Sequence, residues 1–267
     1  MVVRGQGLHS GARGAVSFVR CEGPVVVRAN GVEVALSALA VVDTTRSTTV
    51  ASADGAIRIA TIEHVLAALA GLGIHHGVAI VIEGSEAPLA DGGARTYADA
   101  ARRLGITKGA PSLRIVERGS IDVGASRYEL APNEGGDDGI GVEVEVDFAH
   151  PGLAARARWD GDAEDFCARI AVARTFGFER EVADLLARGL ASHVTPESVV
   201  VIGAERILSA GPPFREDEPA RHKLLDLVGD LYLHGGPPIG RVRALRPGHA
   251  ATHEAMRLAF ARGLVRR

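Results

Sequence analysis

The sequence predicts an α+β fold of two similar domains, each a sheet plus helices, packed with the helix layers between two outer sheets. In both halves of the 267-residue chain, strand-like segments come first and helix-like segments later, which is typical of α+β proteins. A faint repeat, described below, relates the halves. Between them, residues 105–112 combine Gly, Pro and Ser without an apolar period, which predicts a linker. We therefore expect an N-terminal domain over residues 1–108 and a C-terminal domain over residues 112–267.

In the first half, short apolar runs bounded by turn residues predict strands. They are residues 15–20, 25–29, 47–51, 56–60 and 78–83. Thr61 has the residue type of an N-cap, so it predicts a helix over residues 62–71. A second helix is expected over about residues 94–104.

The second half opens on a strand over residues 142–148, where valines alternate with acidic residues as in a half-buried strand. The elements expected after it are a helix near 162–172, a βαβ-like stretch at 179–208, an apolar helix that carries His222, a strand at 239–245 and a last helix at 253–264.

The repeat is the pattern His-x-Leu-x-x-Leu-x-Gly, which begins at His64 and again at His222. Each copy is followed by a His-Gly pair at the same offset, at His76 and His234. If the copies belong to related domains that pack helix layer to helix layer, His64 and His222 lie near a pseudo-twofold axis. Two imidazoles at that place are close enough to share an ion.

The helix around His222 presents three polar side chains on one face. His222, Asp226 and Asp230 follow each other at four-residue steps, and each step turns only about 40° past a full turn. A step rises about 6 Å, so His222 and Asp226 can hold one ion, whereas Asp230 lies about 12 Å from His222 and is expected to serve another group. An unpaired carboxylate in such an apolar helix is costly. A metal ion or a buried His–Asp hydrogen bond would each remove that cost, and this segment alone favours neither.

Glu63 and His64 lie in the first turn of their predicted helix, where the helix dipole favours an ionised carboxylate and a neutral imidazole. A general base and a metal ligand need these states, although the pair alone also fits a solvated helix start. Together with His222 and Asp226, two histidines and a carboxylate with an open position match a hydrolytic zinc site. Cysteines 21 and 167 have no ligand spacing, which excludes a thiolate zinc site.

Two further side chains are candidates for catalysis. His249 follows Gly248 on a predicted turn, and with Asp230 as its partner it would stay protonated and could donate to an oxyanion or leaving group. A loop histidine is otherwise usually solvent-facing. Thr175 offers a hydroxyl that could polarise a carbonyl, or it could simply pack between its aromatic neighbours.

The composition excludes several classes of function. The net charge of −3, from 30 basic and 33 acidic residues, gives no basic field for a nucleic acid. No apolar run approaches the roughly 20 residues of a membrane span, and the N-terminus does not have the form of a signal peptide. Two cysteines without a disulfide framework suit a reducing cytosol. We expect a cytoplasmic protein, with peripheral contact to the inner membrane left open.

Eight motifs spread along nearly the whole chain make it resemble the zinc-dependent UDP-3-O-acyl-N-acetylglucosamine deacetylases of lipid A (lipopolysaccharide) biosynthesis. The motifs are Gly7-Leu8-His9-Ser10-Gly11, Asp43-Thr44-Thr45-Arg46-Ser47-Thr48, Thr61-Ile62-Glu63-His64-Val65-Leu66-Ala67-Ala68-Leu69, Asp91-Gly92, Asp147-Phe148-Ala149-His150-Pro151, Arg174-Thr175-Phe176-Gly177-Phe178, Arg221-His222-Lys223-Leu224-Leu225-Asp226 and Gly248-His249.

The resemblance implies hydrolysis of the N-acetyl group of UDP-3-O-acyl-N-acetylglucosamine, giving acetate and the free 2-amino sugar nucleotide. It implies that His64, His222 and Asp226 bind Zn²⁺, and that Glu63 is the general base that activates the water. A monomer is expected.

The resemblance also implies the roles of further residues. His249, held by Asp230, assists as a cation that stabilises the oxyanion and protonates the leaving amine. Thr175 hydrogen-bonds the tetrahedral intermediate, and Lys223 adds positive charge near it.

For the substrate, the resemblance implies that Phe148, Phe178 and Arg246 hold the nucleotide, with His9 near the same end. It further implies an insert in each domain. The first is a small sheet near residues 44–60, and the second is a βαβ unit near 179–208 that forms the passage for the acyl chain.

The sequence departs from the family pattern in places that bear on substrate affinity. Thr49 stands where cysteine is frequent, Arg246 replaces a frequent lysine, and residues 192–198 replace a glycine-rich stretch. Three other hypotheses stay open from sequence: a non-catalytic relative that binds the nucleotide sugar or a protein, an amidohydrolase for another acylated amino sugar, and, least favoured, a structural protein.

Overall fold

The structure, a computed structural model, describes residues 1–106, 108–150, 152–179 and 194–267. Its N-terminal half contains a five-stranded sheet in the spatial order β1 (Val2–Gln6), β2 (Arg13–Pro24), β8 (His76–Glu83), β3 (Val26–Ala29) and β4 (Val32–Ala35). The C-terminal half contains a second one in the order β10 (Gly119–Val123), β11 (Ser126–Ala131), β17 (Gly240–Leu245), β12 (Ile140–Glu145) and β13 (Arg156–Trp159).

The two sheets have the same topology. In each, the last strand of the sheet enters the centre, where it runs antiparallel to one neighbour and parallel to the other. Thus β8 is antiparallel to β2 and parallel to β3, and β17 is antiparallel to β11 and parallel to β12. The two outer strand pairs of each sheet are antiparallel. The α+β fold of two similar halves is therefore confirmed, while the domain boundaries at residues 108 and 112 stay a prediction.

Three smaller sheets complete the strands in the described part of the chain. They are β5 (Ala40–Asp43), β6 (Thr49–Ala51) and β7 (Arg58–Ile59); β14 (Thr175–Phe178), β15 (Val199–Ile202) and β16 (Ile207–Leu208); and the pair β9 (Arg114–Ile115) with β18 (Val265–Arg266). Strands β14 and β15 are parallel, as a βαβ unit requires. The helix of the βαβ stretch predicted at 179–208 would come between these strands, where residues 180–193 lie outside the described residues. Residues 192 and 193 of the 192–198 stretch are among these, and Thr107 and Pro151 also lie outside the described residues.

The helices of the described residues are α1 (Glu63–Gly71), α2 (Arg95–Arg102), α3 (Ala163–Asp165), α4 (Glu218–Tyr232) and α5 (His249–Ala261). A π-helical turn, Phe166–Ile170, continues α3, and two 3₁₀ turns cover Leu36–Ala38 and Glu134–Gly136. Helix α2 packs on β1 and β2, while α4 packs on β12 and β13 and α5 packs on β10. Helix α1 contacts both α2 and α4, so the helices lie between the two large sheets.

The contact between α1 and α4 joins the two halves. Every residue of α1 is buried, and nearly every residue of α4 is. At the crossing, a Cβ atom on Gly229 would lie 2.1 Å from the carbonyl oxygen of Glu63, so only glycine fits there. This close approach of the two backbones brings the N-terminal end of α1, with Glu63 and His64, against α4.

Two predicted helix starts are wrong. Thr61 does not cap α1: its φ is +57°, its hydroxyl donates to Glu86 Oε1 at 3.0 Å, and the N-cap is Ile62, without a side-chain cap. The buried Glu86 carboxylate attracts the hydroxyl that an N-cap would use. The last helix begins at His249, not at residue 253, with Gly248 in extended conformation as its N-cap.

Several of the strands were not predicted from the sequence; these are β1, β4, β5, β9, β10, β11, β13 and β18. Among the described residues, no helix has an apolar stretch long enough to cross a bilayer.

Candidate active site

Three buried side chains from the two halves converge where α1 meets α4. His64 Nε2 lies 3.6 Å from Asp226 Oδ1, and His222 Nε2 lies 3.5 Å from the same oxygen. The three ligand atoms all lie within 4.8 Å of one another. Two ligands on one tetrahedral zinc ion are about 3.3 Å apart. His64, His222 and Asp226 therefore form a possible metal-binding triad.

The neighbours of His222 and Asp226 leave one ligand atom of each side chain available. The Nδ1 atom of His222 lies 3.0 Å from the carbonyl oxygen of Ala173 and donates to it, so Nε2 keeps its lone pair. Burial lowers the pKa of His222 to about 4, so the ring is neutral, as a ligand must be. Asp226 Oδ2 accepts from Lys223 Nζ at 2.9 Å, which leaves Oδ1 for the two imidazoles.

Asp226 is ionised. Burial would raise the pKa of its carboxyl, but the charge of Lys223 holds that pKa well below its usual range. An anionic oxygen and two imidazole nitrogens in a buried cluster match the donor set of a divalent cation such as zinc. The residues present thus fit the metal that the sequence predicts.

Glu63 lies beside the triad with one carboxylate oxygen anchored. Its Oε2 accepts from the backbone N–H of Thr48 at 3.0 Å, and its Oε1 lies 3.9 Å from His249 Nε2. Burial raises the pKa of Glu63, although the nearby His249 and His64 oppose the rise. A carboxylate with a raised pKa, close to an ion site, is suited to accept a proton.

His249 and Asp230 form a buried pair, as the sequence predicts. His249 Nδ1 lies 2.8 Å from Asp230 Oδ2. Burial alone would lower the pKa of His249, but the charge and hydrogen bond of Asp230, helped by the charge of Glu63, raise it to about 10. His249 is therefore a cation at neutral pH, with its Nε2 side toward Glu63. It occupies the first position of α5 and not a loop.

The substitution Asp230→Asn should remove the cause of that raised pKa. Without the carboxylate charge, burial dominates, and the pKa of His249 should fall from about 10 toward or below its ordinary 6.5. The pair stabilises the wild-type fold fully below pH 6.5, and this stabilisation is lost as pH rises through about 10. The variant should therefore be less stable than the wild type mainly at neutral and lower pH. NMR titration of the His249 ring measures the change, with Asp122→Asn, an exposed carboxylate, as control. An unaltered pKa in Asp230→Asn would contradict the pairing.

Lys223 and Thr175 lie at the edge of the site. Lys223 Nζ is 5.8 Å from the centre of the Phe176 ring, in addition to its bond with Asp226. Thr175 Oγ1 donates to the carbonyl oxygen of Gly92 at 2.9 Å. The Thr175 hydroxyl would have to rotate away from Gly92 before it could donate to a bound substrate.

Two of the predicted substrate residues lie together. The ring centres of Phe148 and Phe178 are 6.2 Å apart, and Phe176 lies 5.4 Å from Phe148 and 6.0 Å from His222. This aromatic cluster reaches the triad through Phe176, which the sequence analysis assigned no role. Phe176 and Phe178 are two residues apart on β14, so their shared face could have been read from the strand period.

Arg246 and His9 are placed differently. Arg246 is exposed, and its Nε donates to the carbonyl oxygen of Ala125 at 2.9 Å, on the turn between β10 and β11. Within the described residues, its side chain binds this turn and does not contact the aromatic cluster. His9 is held by its backbone N–H on Glu86 Oε1 at 2.9 Å, and its Nε2 is buried without a hydrogen-bond partner in the described part of the chain.

Thr48 is a functional candidate that sequence reasoning missed. Its N–H binds Glu63, and its hydroxyl donates to Asp230 Oδ1 at 2.6 Å, so one residue contacts both the Glu63 carboxylate and the Asp230–His249 pair. It belongs to a motif that the sequence analysis noted, but nothing in a threonine's residue type points to such a role.

Comparison with known proteins agrees with this geometry. The sequence profile of the LpxC family, described as UDP-3-O-acyl N-acetylglycosamine deacetylase, matches residues 1–261. The chain is 35% identical over 270 residues to a UDP-3-O-acyl-N-acetylglucosamine deacetylase of Shewanella frigidimarina, covering 96% of this chain and 86% of that protein. It is 36% identical over 265 residues to the enzyme of the same name from Myxococcus xanthus, covering 96% and 82%. The chain therefore belongs to the LpxC family of deacetylases, which are hydrolases that act on an amide bond.

Proposed function

We propose that this protein hydrolyses the N-acetyl group of UDP-3-O-acyl-N-acetylglucosamine with the help of Zn²⁺, giving acetate and the free 2-amino sugar nucleotide. The observation that carries the proposal is the convergence of His64, His222 and Asp226 beside Glu63 and the Asp230–His249 pair. The names of the relatives supply the substrate.

His64 Nε2, His222 Nε2 and Asp226 Oδ1 would hold the ion. When bound, Zn²⁺ lowers the pKa of a coordinated water and polarises a carbonyl oxygen. Glu63 would take the proton from the attacking water through Oε1, because Oε2 is occupied by the Thr48 N–H. The raised pKa of Glu63 makes it a stronger base than an exposed carboxylate.

His249 would act as the cation of the reaction. Its Nδ1 is committed to Asp230, so Nε2–H is the donor for the oxyanion and then for the leaving nitrogen. Transfer of this proton releases a neutral amine instead of an amide anion. Lys223 would add positive charge near the oxyanion, and the Thr175 hydroxyl, once turned from Gly92, would donate to it.

The aromatic rings of Phe148 and Phe178 would hold the nucleotide, with Arg246 and His9 at the same end. The stretch at 179–208, of which residues 180–193 lie outside the described residues, would form the passage for the acyl chain. We further propose a cytoplasmic monomer that binds no nucleic acid, and the two cysteines, both unpaired, fit a reducing compartment.

Acetate release tests the proposal directly. The purified protein, loaded with zinc, should release one acetate and form one free amine per molecule of UDP-3-O-acyl-N-acetylglucosamine, and metal analysis should give one zinc per chain. A chelator should stop the reaction and added zinc should restore it. Binding of the nucleotide sugar without acetate release at saturating zinc would instead indicate a non-catalytic relative. Faster turnover of another acylated amino sugar would correct the substrate.

A further inference from the structure

The Asp230 carboxylate has a second set of contacts, at Oδ1, the oxygen that is not bonded to His249 Nδ1. Asp230 is 1% exposed, and its Oδ1 accepts from the Thr48 hydroxyl at 2.6 Å. The same oxygen lies 3.4 Å from His253 Nε2, which is also 3.3 Å from the Thr48 hydroxyl. His253 is one turn after His249 on α5, so both imidazoles face the same carboxylate from one helix.

His253 is itself held by another imidazole. Its Nδ1 lies 2.9 Å from His234 Nε2, just beyond the C-terminal end of α4. The Nε2–H tautomer of His253, which donates toward Asp230, has its lone pair on Nδ1. His234 must then donate from Nε2 to that lone pair, which fixes the tautomer and the ring plane of His253. Burial lowers the pKa of His234 to about 4, so His234 is neutral, as this arrangement requires.

A continuous series of contacts thus links His249, Asp230, His253 and His234, from the active site to the half-exposed His234. A proton could leave the active site along these contacts only if Asp230 accepted it. His249 and His253 hold the pKa of Asp230 well below its usual range against the effect of burial, which disfavours that step. This series of contacts is therefore suited to fix the orientation of the Asp230 carboxylate and not to conduct protons.

We propose that His253, oriented by His234, is a positioning residue. It holds the Asp230 carboxylate in the orientation in which Oδ2 binds His249 Nδ1. This inference rests on the proposed function, because it gives His249 its role. It predicts that loss of the His253 donor acts on the chemical step, because His253 contacts Asp230, Thr48 and His234, on the side of the catalytic pair.

The variants compare a lost donor with a retained one. His253→Leu removes the donor, and His253→Gln keeps an N–H close to the position of Nε2. In His253→Leu, kcat for acetate release should fall about fivefold to tenfold, the rate equivalent of one hydrogen bond, with KM within about twofold of wild type. The pKa of the His249 ring, measured by NMR, should fall by about half a unit. His253→Gln should restore both values to near wild type.

His234→Leu tests the second imidazole. It should lower kcat about threefold alone and cause no further loss in the His253→Leu background, because His234 acts only through His253. The matched control is His75→Leu, a half-buried histidine that stacks on Tyr232 at 5.2 Å and does not face Asp230; its kcat and its His249 pKa should equal those of wild type.

The outcomes are distinguishable. Wild-type kcat and His249 pKa in His253→Leu, or equal loss in His253→Gln and His253→Leu, would overturn the positioning role. If His253→Leu does not fold, the comparison of His253→Gln with His234→Leu decides, and wild-type values in His234→Leu would reject the role of the imidazole pair. If the wild type itself releases no acetate, the proposed function fails, while the NMR titration of His249 still tests whether His253 positions Asp230.

Discussion

Replacing Glu63 with Gln is expected to lower kcat for acetate release by about 10²- to 10⁴-fold, the usual contribution of a general base. The substitution keeps the size of the side chain, and its amide oxygen can still accept from the Thr48 N–H. What it removes is the basicity of the oxygen that lies 3.9 Å from His249 Nε2. Because Glu63 is not one of the three converging ligands, the variant should retain one bound metal ion per chain.

Steady-state kinetics together with metal analysis separate these effects. Glu83→Gln, the same change at an exposed carboxylate that pairs with Arg4, should keep full activity and serves as the control. Turnover near the wild-type rate in Glu63→Gln would reject Glu63 as the base. Loss of the metal in that variant would instead show that the carboxylate supports the ion.

Replacing His222 with Ala is expected to abolish activity through the metal. The substitution deletes one of three ligands and leaves the Asp226 carboxylate buried beside a cavity. Affinity for zinc should fall by well over 100-fold. This is more than the usual loss of affinity when the removed residue only hydrogen-bonds to a metal ligand. Activity at stoichiometric zinc should fall with it, and excess zinc should restore only part.

Zinc affinity measured with a competing chelator, alongside acetate release, checks this result. The matched control is His75→Ala, since His75 lies outside the triad and stacks on Tyr232. Equal zinc affinity in His222→Ala and wild type would favour the alternative that the sequence leaves open, a buried His–Asp hydrogen bond without a metal. Intact affinity in His75→Ala shows that a lost histidine alone does not explain the effect.

The sequence predicted the fold class because the order of elements and the repeat are properties of the chain itself. The pattern that begins at His64 and His222 corresponds to two sheets with the same strand order. The four-residue spacing of His222 and Asp226 placed their side chains on one helix face, where His222 Nε2 lies 3.5 Å from Asp226 Oδ1. The pairing of Asp230 with His249 followed from the need of a buried carboxylate for a partner.

Other features depend on contacts between segments far apart in sequence. Thr61 has the residue type of an N-cap, but Glu86, 25 residues later, binds its hydroxyl. Thr48 reaches Asp230 across 182 residues, and no local pattern can indicate such a contact. His253 was predicted only as a helix start, because its importance lies in the side chains that it meets in three dimensions.

The bare α-carbon of Gly229 sets the dimensions of the candidate metal centre. Main chain touches main chain there, and peptide units are rigid, whereas interdigitated side chains can repack. The distance between the metal ligands of the two halves is therefore fixed by the geometry of the two backbones at this contact. Any larger residue at that crossing would push the two halves apart and widen the candidate metal site without changing any of the ligand residues.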